Sequence, residues 1–228
     1  MHQTFNQRRR KVVVLTQTRA DNDVSTAILF AGERAFAEFG YNGASMRAIA
    51  REAGVNQAMI AYYFGSKEGL LEAIMRRRST FVNTQRQDRL AALRAAGTPS
   101  VEQLIEAFLR PLIELGTDSE RGGYAYVKLL AVLTHSVDNL AKRIVAENFD
   151  GIARRFVEAF QEVAPEMSES DAIRAYLLSL GTGIASIGIE GRAGPMSRER
   201  YDRVDTEQLI RSVVAFASGG VRTLMRKS

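Results

Sequence analysis

The chain has no cysteine among its 228 residues, which excludes disulfides, thiolate metal sites and cysteine nucleophiles. It has only two histidines, His2 and His135, and neither stands at metal-ligand spacing. No glycine-rich phosphate loop is present and no Ser-His-Asp set can be assembled, so nothing calls for a cofactor or a catalytic centre. Long apolar runs are also missing. The stretch 175–189 is uncharged but contains Gly, Ser and Thr, and it stops short of the roughly 20 residues that span a bilayer. The start, Arg8-Arg9-Arg10-Lys11 followed by Val12-Val13-Val14-Leu15, faintly imitates a signal peptide, but its apolar part is shorter than the ~7–15 residues of such a segment. A cytoplasmic protein without a membrane partner is expected.

What is present is an ordinary globular composition, 46% hydrophobic and 25% charged, with its charge unevenly placed. Up to Ser79 there are 12 Lys/Arg against 7 Asp/Glu, and from Thr80 onward 19 against 19. The whole excess of +5 therefore lies in the first third, which points to one segment that meets a polyanion and a neutral remainder with another task.

Strand-like alternation persists nowhere, and no internal repeat is visible. Helical periodicity begins near residue 23. Ile28, Ala31, Ala35 and Phe39 fall on one face, Glu33, Arg34 and Glu38 elsewhere; Asp23 or Ser25 can cap the start and Gly40 the end. Short helices follow at 45–52 and 56–63. A long one, capped by Ser66 and carrying Leu70, Leu71, Ile74, Phe81 and Val82, runs to the Gly97-Thr98-Pro99 break. Five more helices are expected at 101–115, 121–136, 139–163, 169–190 and 206–225, with one long loop at 191–204. The fold class is all-α: a flexible basic arm (1–22), a three-helix helix-turn-helix domain (23–75) and a helical ligand-binding and dimerisation bundle (76–228).

The stretch 46–64 carries the functional signal. Ala53-Gly54-Val55 separates the two short helices, as a helix-turn-helix requires, and Gly54 can adopt the left-handed conformation of such a turn. Ala50 is small enough for close crossing, Val55 and Ile60 plug the angle, and Asn56 is a good N-cap. The second short helix then presents Asn56, Gln57, Ala58, Ala61 and Tyr62 outward. Asn and Gln can pair with adenine edges and Ala can touch a thymine methyl. Ser45, Met46 and Arg47 start the first short helix near the groove edge, and the Tyr62 and Tyr63 hydroxyls suit phosphate oxygens. Lys67 sits in the first turn of the helix capped by Ser66, where a cation opposes the macrodipole; a phosphate docked there would reverse the sign. Lys67 is therefore assigned as a phosphate anchor.

These residues carry a resemblance. Phe39-Gly40-Tyr41, Ser45-Met46-Arg47-Ala48-Ile49-Ala50, Ala53-Gly54-Val55 and Tyr62-Tyr63-Phe64-Gly65-Ser66-Lys67-Glu68-Gly69-Leu70-Leu71 resemble the DNA-binding domain of the tetracycline-repressor (TetR) family over about residues 23–75. The resemblance implies a bacterial transcriptional repressor: a homodimer on double-stranded operator DNA whose reading domains swing apart when a small molecule enters the C-terminal domain. It also implies that Arg47, Gln57, Tyr62, Tyr63 and Lys67 lie at DNA, and a nucleoid location when bound. One departure is Ala61, where many members of the family carry a phosphate-contacting Tyr. The arm is also longer than the family usually needs; Arg8–Lys11 reads either as a tail or as a groove-reaching segment.

The C-terminal helices supply Phe108, Leu112, Tyr124, Tyr126, Leu130, Phe149, Phe156, Tyr176 and Leu180, enough for an apolar, partly aromatic pocket. Pro111 should disturb its helix beside Phe108 and Leu112. His135 is either a boundary residue or a hydrogen-bonding partner of the ligand. Arg76-Arg77-Arg78 fan out about 100° apart and so form no single site; they read as a solvated face. The candidate ligand residues are Phe108, Leu112, Tyr126, Leu130, His135, Phe156 and Tyr176. Leu177, Gly181, Ile184, Ala185 and Gly188, together with Ile210, Val213, Val214 and Ala217, form either a four-helix dimer interface or subunit core; the resemblance implies the former. The effector class is hydrophobic or amphipathic. Two other functions compete, a helical-bundle enzyme using the same cavity and an architectural DNA-binding protein without an effector.

Overall fold

The structure, a computed structural model, describes residues 3–118, 120–189, 193–198 and 205–226, with side chains from Asn22 onward. Among the described residues there are ten helical segments and no strand. They fall into two compact units, Met1–Ile74 and Met75–Ser228. No helix among them is long and apolar enough to cross a membrane.

The first unit holds α1 (Gln3–Gly43), α2 (Met46–Glu52), α3 (Gln57–Phe64) and the start of α4 (Lys67–Ala96). Where an arm was expected, the backbone is helical from Gln3, because residues 3–22 contain no Gly or Pro to interrupt it. Ser25 accordingly does not cap; its hydroxyl donates to the Asn22 carbonyl. The side chains of Arg8–Lys11 lie outside those described. Helix α1 bends at Gly40 (φ 69°), and Tyr41 folds back to stack on Phe36, with 6.0 Å between ring centroids. That stacking turns the buried face towards Ile28, Ala31, Ala35 and Phe36, leaving Phe39 exposed. Glu33, expected to face solvent, is buried beside this face.

The second unit continues along α4 and adds α5 (Val101–Thr117), α6 (Gly123–Thr134), α7 (Asn139–Val163), α8 (Glu169–Ile189), the short α9 (Ala193–Met196) inside the expected 191–204 loop, and α10 (Thr206–Met225). Local chemistry sets the starts. Ser100 and Gln103 form a reciprocal capping box on α5, Asp138 caps α7, and the Asp205 carboxylate accepts the Gln208 N–H at the head of α10.

Helix α5 packs against α6, α7, α8 and α10. Leu104, Ile105, Phe108, Leu109, Leu112 and Ile113 are each fully buried, and burial of such a side chain is worth about 1.5–3 kcal/mol. Leu109 fills the space a side chain at Gly183 would occupy: a Cβ there would stand 2.9 Å from the leucine Cδ2. Pro111 does not end the helix. Of the arginine run on α4, Arg76 and Arg77 are exposed. Arg78 is buried instead and donates to the Arg121 carbonyl at 2.7 Å, so the run is not wholly a solvated face.

Arg110 is the polar clamp of this bundle. Its guanidinium pairs with Glu106 and Glu114 on α5 and forks onto Glu207 of α10. The fork holds the Glu207 carboxyl below its ordinary value and, with the other two carboxylates, pushes Arg110 up. A carboxyl depressed in the folded state stabilises above its unfolded value, about 4.3, and that contribution is lost as pH falls through the lower folded value. Glu207→Gln should therefore lower the melting temperature at pH 7, and the gap from wild type should close as the melts are repeated below about pH 4.

Candidate nucleic-acid interface and ligand cavity

The polar surface of the first unit is built by caps and turns. At α2 the Ser45 hydroxyl accepts the Ala48 N–H (3.4 Å). At α3 the Asn56 side-chain oxygen accepts the Ala58 N–H (3.0 Å). Between the helices Gly54 has φ +69°, and the Val55 N–H returns to the Ala50 carbonyl at 2.9 Å. Ile49, Ala50 and Ile60 are buried beneath the turn. This leaves Ser45, Arg47, Asn56, Gln57, Ala58 and Tyr62 exposed and Met46, Tyr63 and Lys67 half-buried. Tyr62 is 78% exposed, large for an aromatic ring, and packs edge-on against Tyr63. The residues named for DNA contact thus share α2, α3 and the head of α4.

Lys67 has a structural task as well. Its ammonium donates to the Asn42 carbonyl (3.3 Å) and stands 5.0 Å from the Tyr41 ring centroid, joining the head of α4 to the turn before α2. The Ser66 hydroxyl caps α4 by accepting the Gly69 N–H at 3.0 Å. Residue 69 has to be glycine here, because a Cβ would lie 2.1 Å from the Phe64 carbonyl oxygen.

The second unit encloses a cavity of about 390 Å³, within the range of small-molecule sites. Leu112, Tyr126, Leu130 and Tyr176 line it as expected, joined by Val145, Phe149, Val157, Ile173, Leu177 and Leu180. Phe108 and Phe156 do not reach it. They pack behind the lining with tilted rings, Phe108 centred 4.6 Å from Tyr176 and 5.1 Å from Phe156, so their part is support. Tyr124 is exposed elsewhere. His135 must be corrected: α6 ends at Thr134, and His135 is its exposed C-cap. Its ring Nδ1–H donates to the Ala131 carbonyl at 2.8 Å, away from the cavity.

Arg86 was not anticipated. It is 1% exposed and lines the cavity. Its Nε donates to the Phe108 carbonyl (2.8 Å), its Nη1 to Asn83 Oδ1 (3.3 Å), and its Cζ stands 4.5 Å from the Phe108 ring centroid. Burial pulls its pKa down, while the Tyr176 and Tyr126 phenols pull the other way. Burial pushes the Tyr176 phenol up, with Arg86 opposing. A signal was present in the sequence: Arg86 lies four residues from both Val82 and Leu90, on the buried face of α4.

The proposed dimer residues separate into two sets. Ile184, Ile210, Val213, Val214 and Ala217 are buried within the subunit, because the apolar stripe of α10 packs onto α5 and α8 of its own chain. Leu177, Gly181, Ala185 and Gly188 of α8 face outward. So do Leu178 on α8 and Ala215, Phe216, Gly219 and Gly220 on α10, with Phe216 75% exposed.

A helix-turn-helix unit and a separate helical unit with a cavity, in one chain, point to the class of helix-turn-helix transcriptional regulators. Two family models match it: "Bacterial regulatory proteins, tetR family" over residues 28–74 and "Tetracyclin repressor-like, C-terminal domain" over residues 106–220. The chain belongs to the TetR family. It is 38% identical over 84 residues to the HTH-type transcriptional regulator BetI of Rhizobium meliloti, a match covering 37% of this chain and 39% of that protein. The chain thus spans about two fifths of the length of that curated relative. Among solved structures, the regulator FadR from Bacillus subtilis in complex with stearoyl-CoA is similar at TM-score 0.62 and 17% identity, covering 86% of this chain and 98% of that one. AibR in complex with isovaleryl coenzyme A and operator DNA is similar at TM-score 0.58 and 22% identity, covering 85% and 97%. At these identities the likeness shows the fold.

The left-handed backbone at Gly54 gives a direct test of the turn. Gly54→Ala should destabilise the chain by about 1 kcal/mol or more, read as a lower unfolding midpoint in urea.

Proposed function

We propose that the protein is a ligand-responsive transcriptional repressor that binds a near-palindromic operator as a homodimer and lets it go when a small hydrophobic or amphipathic molecule fills the cavity. The observation that carries this is the pairing, within one chain, of an exposed Asn56-Gln57-Ala58 helix start with an apolar cavity in a separate unit. Gln57 and Asn56 would read base edges in the major groove. Arg47, Tyr62 and Tyr63 would hold the backbone. Lys67, with one ammonium hydrogen given to Asn42, has two left for a phosphate at the head of α4. The occupied structures of FadR and AibR support an organic occupant for the cavity.

The outward faces of α8 and α10 are the proposed subunit contact. Exposed Leu177, Leu178 and Phe216 flank small residues that would let helices of two copies approach closely. Effector binding would favour a spacing of the two reading helices that no longer fits both half-sites.

Operator footprinting of the full chain tests the reading. A sequence-specific footprint that one class of organic compound abolishes is the expected result. An enzyme would leave no footprint, and an architectural protein would leave one that no compound removes. In the same assay Gln57→Ala should change which operator bases matter, at about 1–3 kcal/mol for the affected pair; equal weakening on every operator variant would refute a base-reading role. Phe216→Glu should convert the dimer to monomer in light-scattering chromatography while circular dichroism stays unchanged.

A further inference from the structure

The cavity wall is mostly apolar, and Arg86 is the one buried charged residue in it. Asp150, Arg154 and Glu169 also line the cavity, but all three are exposed and so belong to its mouth, whereas Arg86 is buried at its floor. Its guanidinium is held through Nε by the Phe108 carbonyl, through Nη1 by the Asn83 side chain, and on one face by the Phe108 ring. The remaining nitrogen, Nη2, is buried without a hydrogen-bond acceptor. None of the ion pairs among the described residues involves Arg86. A buried cation is costly unless it is both hydrogen-bonded and paired, and here both deficits occur at one atom in the lining of a ligand-sized space.

We propose that the effector is a small amphipathic carboxylate that enters acid-end first, its carboxylate on Arg86 and its apolar body against Val145, Phe149, Ile173 and Leu180. This deepens the effector reading above and rests on it. A carboxylate supplies both things the site lacks, an acceptor for Nη2 and a countercharge, and the planar guanidinium fork suits it. The Tyr126 and Tyr176 rings also line the floor, with their phenols electrostatically coupled to the same guanidinium. The size agrees: about 390 Å³ holds on the order of a dozen groups at roughly 30 Å³ each. Acid-end-first entry also separates this ligand from a coenzyme A thioester, which has no free carboxylate on its acyl group to place on Arg86.

The test is calorimetric titration of the full chain with octanoate, octanamide and octanoyl-CoA, repeated with 4-phenylbutyrate and its amide. At least one acid should bind about tenfold or more tightly than its amide, as expected for a hydrogen bond to a charged group. Arg86→Met should reduce that acid to the amide's affinity without changing the amide, and Arg86→Lys should restore part of the difference. Should Arg86→Met fail to fold, the wild-type contrast between acid and amide decides alone. Equal binding of acid and amide, tighter binding of the thioester than of the acid, or no binding of either acid overturns the proposal. Operator release by an uncharged compound in any of those cases would leave the effector reading standing. Acids that bind through Arg86 while no compound releases the operator would overturn the effector reading and leave the carboxylate site intact.

Discussion

Helix α5 is covered by α6, α7, α8 and α10, so its side chains must be apolar on nearly every side, and the rest of the C-terminal unit follows from that requirement. A helix wrapped in this way leaves its charged side chains one narrow border, Glu102, Glu106, Arg110 and Glu114, each partly exposed. Arg110 on its border is accordingly clamped by Glu106, Glu114 and Glu207. Its neighbours must come close enough to leave no voids, and Gly183 lets Leu109 do so. The cavity lies on one side of α5, between it and α4, α6, α7 and α8.

The same packing explains why a single charge in that wall carries so much chemical information. In an exposed helix an arginine between Val82 and Leu90 would be unremarkable. Here it is anchored by a backbone carbonyl and by Asn83, itself bonded to the Asn148 carbonyl on α7, so its position is set before anything binds. Such preorganisation reduces the ordering cost of recognition and, on the proposed reading, would make the site selective by charge as well as shape.

Much of this architecture could be read from residue order, for identifiable reasons. The reading unit depends on local rules: a glycine with positive φ at 54, an Asn cap at 56 and a Ser cap at 66 each leave a signature at their own position. The cavity was partly legible, since Leu112, Tyr126, Leu130 and Tyr176 follow from helical spacing and size. What escaped depends on tertiary partners. Arg86 shares a face with Val82 and Leu90, a spacing that marks it as buried without saying what it meets, whereas Arg78 resembles its exposed neighbours Arg76 and Arg77 and is interior only through its tertiary partners. His135 was named as a ligand candidate because its helix was drawn past Thr134, where it ends. Ile210, Val213, Val214 and Ala217 form an apolar stripe, and a stripe does not state whether its cover comes from the same chain or another.

Helix α8 serves two surfaces at once. Ile173, Tyr176 and Leu180 face the cavity, Leu178, Gly181, Ala185 and Gly188 face outward, and Leu177 belongs to both groups. A stiff rod of this kind cannot be displaced on its inner side while its outer side stays still. On the proposed subunit contact, a guest that leans on Leu177 or Tyr176 would therefore alter the strength with which two copies of the chain hold each other. By thermodynamic reciprocity, association of the copies would then alter the grip on the guest by the same factor.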